Sequence, residues 1–232
     1  MSNSFKVGRH TVGTDEPTYF IADIAANHDG DLGRAKELIH LCAHAGANAA
    51  KFQNFAAATI VSDFGFRSLR GQQSHQESWS KSVFEVYDDA SLPVQWAGEL
   101  KTACDEAGID YFTAPYDLAM IEALSPYVCA WKLGSGDITW HEEIALLAGD
   151  GKPFFMATGA ANLDEVRQAV ETAKKYNSNL CVMQCNTNYT ASVGNFHHIA
   201  LNVLKAYARE FPDVVLGLSD HTPGHATTLG AV

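Results

Sequence analysis

The strongest constraint on this chain is an alternation. Short, largely apolar, β-prone runs recur at residues 19–25, 49–55, 110–114, 130–133, 153–157, 180–184 and 214–218, and amphipathic stretches of helical period separate most of them. A strand that is apolar on both faces must be covered on both, which is the signature of a parallel sheet under helices. Residues 32–45 are expected to form one such helix, with Leu38, Leu41 and Cys42 on one face and Arg34, Lys36 and Glu37 away from it. Residues 163–176 gather Val166, Ala169, Val170 and Ala173 against Asp164, Glu165, Arg167 and Lys174. Gly46 and Gly108 stand where a helix exit needs a left-handed residue. Asn162, ahead of Asp164-Glu165, reads as a helix start.

Such alternation fits either an open doubly wound sheet or a closed barrel. Side chains capable of chemistry fall at the C-terminal ends of all the runs: Asp23 and Asn27; Lys51 and Gln53; Thr113; Lys132 and Ser135; Thr158; Thr187 and Tyr189; Ser219 and His221. An open sheet concentrates its ligands at one switch point, whereas a barrel collects them from every strand on one face. The expected fold class is therefore α/β, a TIM-type (β/α)8 barrel. Its single domain, residues 1–232, would stop after strand seven and the start of helix seven. The length of 232 residues is slightly short of the roughly 250 typical of that fold. Residues 56–109 break the rhythm: Gly65, Gly71 and the polar stretch 72–82 read as a lid or substrate loop, and 92–107 as the covering helix.

Charge narrows the possible partners. A net charge of −11 argues against non-specific nucleic-acid or anionic-membrane binding, which needs clustered positive charge. No apolar run approaches the ~20 residues of a membrane span. Residues 1–10 lack the apolar stretch of a signal peptide. Five cysteines without a CxxC pair fit reduced thiols, so a cytoplasmic protein is expected.

Lys51 and Lys132 interrupt apolar runs, and in a covered strand an ammonium must reach the barrel interior or its mouth. With the hydroxyls of Thr113, Ser135, Thr158, Thr187 and Ser219 they would form an anion cradle for a phosphate or carboxylate. The bland alternative is a solvated lysine at a strand edge. Gly134-Ser135-Gly136 lets backbone N–H groups approach an anion, although such a turn is weak evidence alone. His221 reads either as a hydrogen-bonded structural group or as one ligand of a metal, since metal sites need several. His225 is not paired with it, because Thr222-Pro223-Gly224 opposes a regular helix between them. The residues alone lead to a barrel that binds a phosphorylated or carboxylated small molecule.

Several segments in register resemble the N-acetylneuraminate (sialic acid) synthase family. They are Ile21-Ala22-Asp23-Ile24-Ala25-Ala26-Asn27-His28-Asp29-Gly30-Asp31-Leu32, Ala47-Asn48-Ala49-Ala50-Lys51-Phe52-Gln53, Tyr111-Phe112-Thr113-Ala114-Pro115-Tyr116-Asp117, Trp131-Lys132-Leu133-Gly134-Ser135-Gly136 and Ala157-Thr158-Gly159. Residues 185–189 and Ser219-Asp220-His221-Thr222 complete the set. The resemblance implies condensation of phosphoenolpyruvate with an N-acyl amino sugar, such as N-acetylmannosamine, to a 2-keto-3-deoxy sugar acid and phosphate. The enol C3 would attack the open-chain aldehyde, with water adding at C2 before phosphate leaves.

By position, the resemblance assigns Lys51, Thr113, Lys132, Ser135, Thr187 and Ser219 to phosphoenolpyruvate, with Thr158 beside them. Gln53 and Tyr189 fall at sugar positions, and His221 at one of two ligands for Mn2+ or Mg2+. Asp23 stands where the family usually has a glutamate, near the attacking water. The family's eighth strand, its second metal-binding histidine and its small C-terminal antifreeze-like domain would lie beyond Val232. The resemblance also implies a homodimer for the full-length protein. Two other readings remain: a non-catalytic phosphoenolpyruvate-binding barrel fragment, and a related synthase acting on a phosphorylated sugar.

Overall fold

The computed structural model describes residues 3–69, 79–187 and 193–232. They fall into two compact units, Tyr19–Cys129 (the central unit) and Met1–Thr18 with Ala130–Val232 (the terminal unit). In chain order the elements are β1 (Ser4–Val7), β2 (His10–Gly13), β3 (Ile21–Ala25), α1 (Leu32–His44), β4 (Ala49–Asn54), α2 (Ala57–Ile60), α3 (Asp63–Ser68), α4 (Val83–Ala90), α5 (Ala97–Ala107) and β5 (Asp110–Pro115). They continue with α6 (Leu118–Leu124), β6 (Trp131–Leu133), α7 (His141–Gly149), β7 (Phe154–Ala157), α8 (Leu163–Lys174), β8 (Leu180–Cys185), α9 (Val203–Glu210), β9 (Val215–Ser219) and α10 (Ala226–Ala231). The apolar runs of the sequence are thus β3 to β9.

In the central unit β3, β4 and β5 are parallel neighbours, with Ile21 opposite Ala49 and Ala49 opposite Asp110. Every residue of β5, and every residue of β4 except Gln53, is buried. Burial on both faces is what the absence of polar alternation predicts. Helix α5 buries Ala97, Leu100, Ala103 and Cys104 and exits through Gly108 at φ 78°. Helix α1 buries Ala35 and Ile39, one turn apart. Its expected face is corrected here: Leu38 and Cys42 flank the buried row, but Leu41 is 55% exposed. Two residues beyond Ile39, Leu41 is rotated by about 200° and points away from the sheet.

Residues 56–109 also differ from expectation. Their described part is helical, and α4 begins at a capping box in which Ser82 and Glu85 satisfy each other's backbone N–H groups. The helix expected over 92–107 is a 3-10 turn, Val94–Trp96, running into α5. Gly71 and most of the polar stretch after it lie outside the described residues.

In the terminal unit β6, β7, β8 and β9 are parallel neighbours. Helix α8 buries Val166, Ala169, Val170 and Ala173, as its periodicity predicts. The β1–β2 hairpin was not anticipated. It buries Phe5 and Val7, sets the Phe5 ring 6.0 Å from Phe155, and is tied to the chain before β9 by Asn3 Nδ2 donating to Pro212 O at 2.6 Å. No helix among the described residues is long and apolar enough to cross a membrane.

At the start of α8, Asn162 Oδ1 accepts from Asp164 N at 3.0 Å and Glu165 N at 3.1 Å, while Glu165 returns the bond to Asn162 N. Replacing this cap leaves two helix-end donors without their partner. Asn162→Ala is expected to cost about 1 kcal/mol, read as a lower urea midpoint with an unchanged slope.

Candidate functional site

The polar residues of the central unit are organised by strand register. Asp23 of β3 lies opposite Lys51 of β4, and after an irregularity Ala25 lies opposite Phe52. Lys51, 7% exposed, brings Nζ to 2.8 Å from Asp23 Oδ1. A buried ammonium is tolerated when it is paired, and the half-exposed carboxylate supplies the pair without being desolvated itself. Gln53 is half-buried, with Nε2 at 3.4 Å from Tyr116 Oη. Thr113 is fully buried and donates its hydroxyl to Asn54 Oδ1 at 2.7 Å, while Asn54 Nδ2 donates to Leu92 O at 3.2 Å. Its hydrogen is therefore committed to the protein, and its oxygen can only accept.

The turn after β3 is tightly constrained. Ala25 and Asp29 both have φ 49°, and two non-glycine left-handed residues cost about 1–2 kcal/mol each. His28 is fully buried between them, with Nδ1 accepting from Gly30 N at 3.1 Å and its ring edge-on to Trp96 at 5.9 Å.

In the terminal unit Lys132 is 6% exposed and donates to Leu133 O at 2.8 Å. Ser135 is buried in the 3-10 turn Ser135–Asp137 that follows β6. Burial pushes the Asp137 carboxyl above its usual range, and Lys132 draws it partly back. In the first turn of α7, Glu143 is fully buried, and neither carboxyl oxygen has a hydrogen-bond partner among the described residues. Burial first, and Asp137 second, push its pKa up to about 8.

Thr158 is engaged within the unit. Its hydroxyl donates to Met183 O at 3.0 Å and accepts from Tyr207 Oη at 2.9 Å. Gly159 packs against the end of β8 so closely that a Cβ there would lie 2.6 Å from Cys185 O and 2.7 Å from Thr187 Cγ2. Thr187 is half-buried beside it, and Tyr189 lies outside the described residues. Ser219 ends β9 opposite Cys185, and His221 is half-buried two residues later. Between them Asp220 accepts from Thr222, at 3.1 Å from the backbone N–H and 2.8 Å from the hydroxyl.

The sequence model of the NeuB family matches residues 38–232. The chain belongs to the NeuB family. It is 30% identical over 222 residues to an N-acetylneuraminate-9-phosphate synthase of Homo sapiens, the match covering 95% of this chain and 60% of the relative. It is 31% identical over 218 residues to an N,N'-diacetyllegionaminic acid synthase of Legionella pneumophila, covering 91% and 60%. The chain thus spans about 60% of the length of these curated relatives. The crystal structure of an N-acetylneuraminic acid (sialic acid) synthetase from Leptospira borgpetersenii matches 100% of this chain and 74% of its own, with a TM-score of 0.84 at 24% identity. That likeness bears out the α/β, barrel-type fold class.

Against this NeuB frame, the resemblance motifs fall at the polar ends of the strands just described. Among the described residues no group of three or more His, Cys, Asp or Glu is arranged to hold an ion. His221 with its described neighbours does not by itself make a divalent-cation site, which needs several converging donors. Reading by residue type passed over Asn54, Asp137, Glu143 and His28. Asn54 directly follows the assigned Gln53 and Asp137 lies two residues past the assigned Ser135, so a polar group just beyond an assigned one was the available signal. Burial of Glu143 and His28 leaves no comparable trace, since both sit among polar neighbours in the chain.

Glu143 gives a pH test. Above its ordinary value of 4.5, the unfolded chain has released a proton that the folded chain keeps until about 8, so stability falls as pH rises across that window. Glu143→Gln is neutral throughout and nearly the same shape. It is expected to exceed the parent in stability by roughly 2–4 kcal/mol at pH 8, with the gain vanishing below about pH 4.5. Urea midpoints across that range check the slope.

Proposed function

We propose that this NeuB-family chain condenses phosphoenolpyruvate with an N-acyl amino sugar, giving a sialic-acid-type 2-keto-3-deoxy sugar acid and inorganic phosphate. The observation that carries the reading is the family match over residues 38–232. Two buried lysines support it, because phosphoenolpyruvate brings a phosphate and a carboxylate that need cations.

In the central unit this reading gives Lys51 to an anionic group of phosphoenolpyruvate. Asp23, held at 2.8 Å from Lys51 Nζ, orients the water that adds to C2 or takes its proton. Gln53 is assigned to the sugar. Thr113 holds Asn54 and can otherwise only accept from a donor, because its hydroxyl proton is already given away. In the terminal unit Lys132, Ser135, Thr187 and Ser219 are assigned to phosphoenolpyruvate. Thr158 serves by holding the end of β7 to β8 through Met183 O, with Tyr207 behind it. His221 is the candidate for one ligand of Mn2+ or Mg2+, an ion that would polarise the sugar aldehyde when bound.

The name of the human relative includes a 9-phosphate, whereas that of the Legionella relative does not. Phosphorylated and unphosphorylated N-acyl hexosamines are therefore both acceptors to try. With Mn2+ and phosphoenolpyruvate, phosphate release is expected only when one of these sugars is present. Sugar-independent release, or none with any N-acyl hexosamine, overturns the reading. Lys132→Ala should weaken phosphoenolpyruvate binding by ~1.5–3 kcal/mol, about 10- to 150-fold in calorimetry, through loss of a charge-assisted contact. His221→Ala should reduce metal dependence and turnover while leaving phosphoenolpyruvate affinity within about twofold.

A further inference from the structure

His28 occupies a position that packing alone does not explain. Its ring is fully buried, yet Nε2 has no hydrogen-bond partner among the described residues. Nδ1 accepts from Gly30 N–H, so the proton of the neutral ring must sit on Nε2, the atom left without a partner. Burial favours that neutral form, with the Asp29 carboxylate opposing. A leucine or phenylalanine would fill the same space against Trp96 without burying an unsatisfied N–H. What only the histidine supplies is the acceptor at Nδ1.

That acceptor sits at the middle of a turn that runs against backbone preference. Ala25 and Asp29 are left-handed, Asn27 folds back to Ile24 O through its backbone at 3.0 Å and its side chain at 2.8 Å, and Asp31 N–H returns to His28 O at 2.9 Å. From α1, Arg34 closes the outside through Asn27 O at 2.8 Å and Asp29 at 3.1 Å. The same left-handed Ala25 marks the irregularity of β3 against β4. Before it, Asp23 faces Lys51; at Ala25, which faces Phe52, β3 has taken up one residue more than β4. The conformation of the turn and the placement of Asp23 are therefore one local problem, and His28 satisfies it from the inside.

We propose that His28 is a positioning residue, a neutral acceptor that latches the turn after β3 and thereby sets the Asp23 carboxylate against Lys51. The kinetic part of this inference rests on the proposed function, in which Asp23 acts on the attacking water; the structural part does not.

Two substitutions separate latch from filler. His28→Phe keeps a ring against Trp96 and removes the acceptor. His28→Asn removes the ring and keeps an acceptor for the N–H two residues on, as in an Asx turn. Hydrogen exchange at the Gly30 amide is expected to quicken about tenfold or more in His28→Phe and to stay within about threefold of the parent in His28→Asn. A crystal structure of His28→Phe should show the Asp23–Lys51 pair opened. With phosphoenolpyruvate and the accepted sugar, kcat should fall about tenfold or more in His28→Phe with KM for phosphoenolpyruvate nearly unchanged, and His28→Asn should recover most of it.

A packing role predicts the reverse ranking, with the cavity-forming asparagine worse than phenylalanine. That ranking, or an unchanged Gly30 amide and Asp23–Lys51 pair in His28→Phe, overturns the proposal. If the parent releases no phosphate with any sugar, the functional reading fails, while the exchange ranking and the crystal structure still decide the latch.

Discussion

A strand covered on both faces has no place for an unpartnered charge, and this constraint organises the molecule. Strands β4 and β5 are buried along nearly their whole length, and β6, β7 and β8 along all of it. A polar side chain at such a strand is therefore favoured when it finds a partner from a neighbouring strand, a turn or a ligand. Lys51 finds Asp23 across the β3–β4 register, Thr113 finds Asn54, and Thr158 finds Met183 O and Tyr207. In each unit the candidate functional residues stand where the apolar strand pattern is broken, together with whatever satisfies each break.

The same constraint made the strands legible in advance. Runs that are apolar throughout have few alternatives, so β3 to β9 fall where the chain has those runs, and α8 buries the stripe its period marks. Legibility fails where the deciding contact is not periodic. Four-residue strands such as β1 and β2 are too short for a pattern to register, and they are stable because Phe5 packs on Phe155 and Asn3 binds Pro212 O. Helix α1 is less sharply divided into apolar and polar faces than α8, so a large exposed Leu41 outweighed a small buried Ala35 in choosing its face.

Among the site residues, type and position were legible but commitment was not. A threonine at a strand end looks available for a ligand in sequence. Only the fold reveals that the Thr113 proton is spent on Asn54, or that the Thr158 hydroxyl both donates and accepts within its unit. Nor can a sequence distinguish Glu143 from the glutamate beside it. Glu142 is exposed and Glu143 is fully buried, because the helix turns the second one inward.

The two lysines are chemically different despite their matching burial. Lys51 has a carboxylate as its described partner, so an anion arriving there must share the ammonium with Asp23 or displace it. Lys132 donates to a main-chain carbonyl, Leu133 O, and its charge partly offsets the burial that pushes the Asp137 carboxyl up. Lys51, through its ion pair, fixes the place of Asp23. The carboxylate's placement depends on the β3 turn and its buried histidine, not on the strength of the ion pair alone.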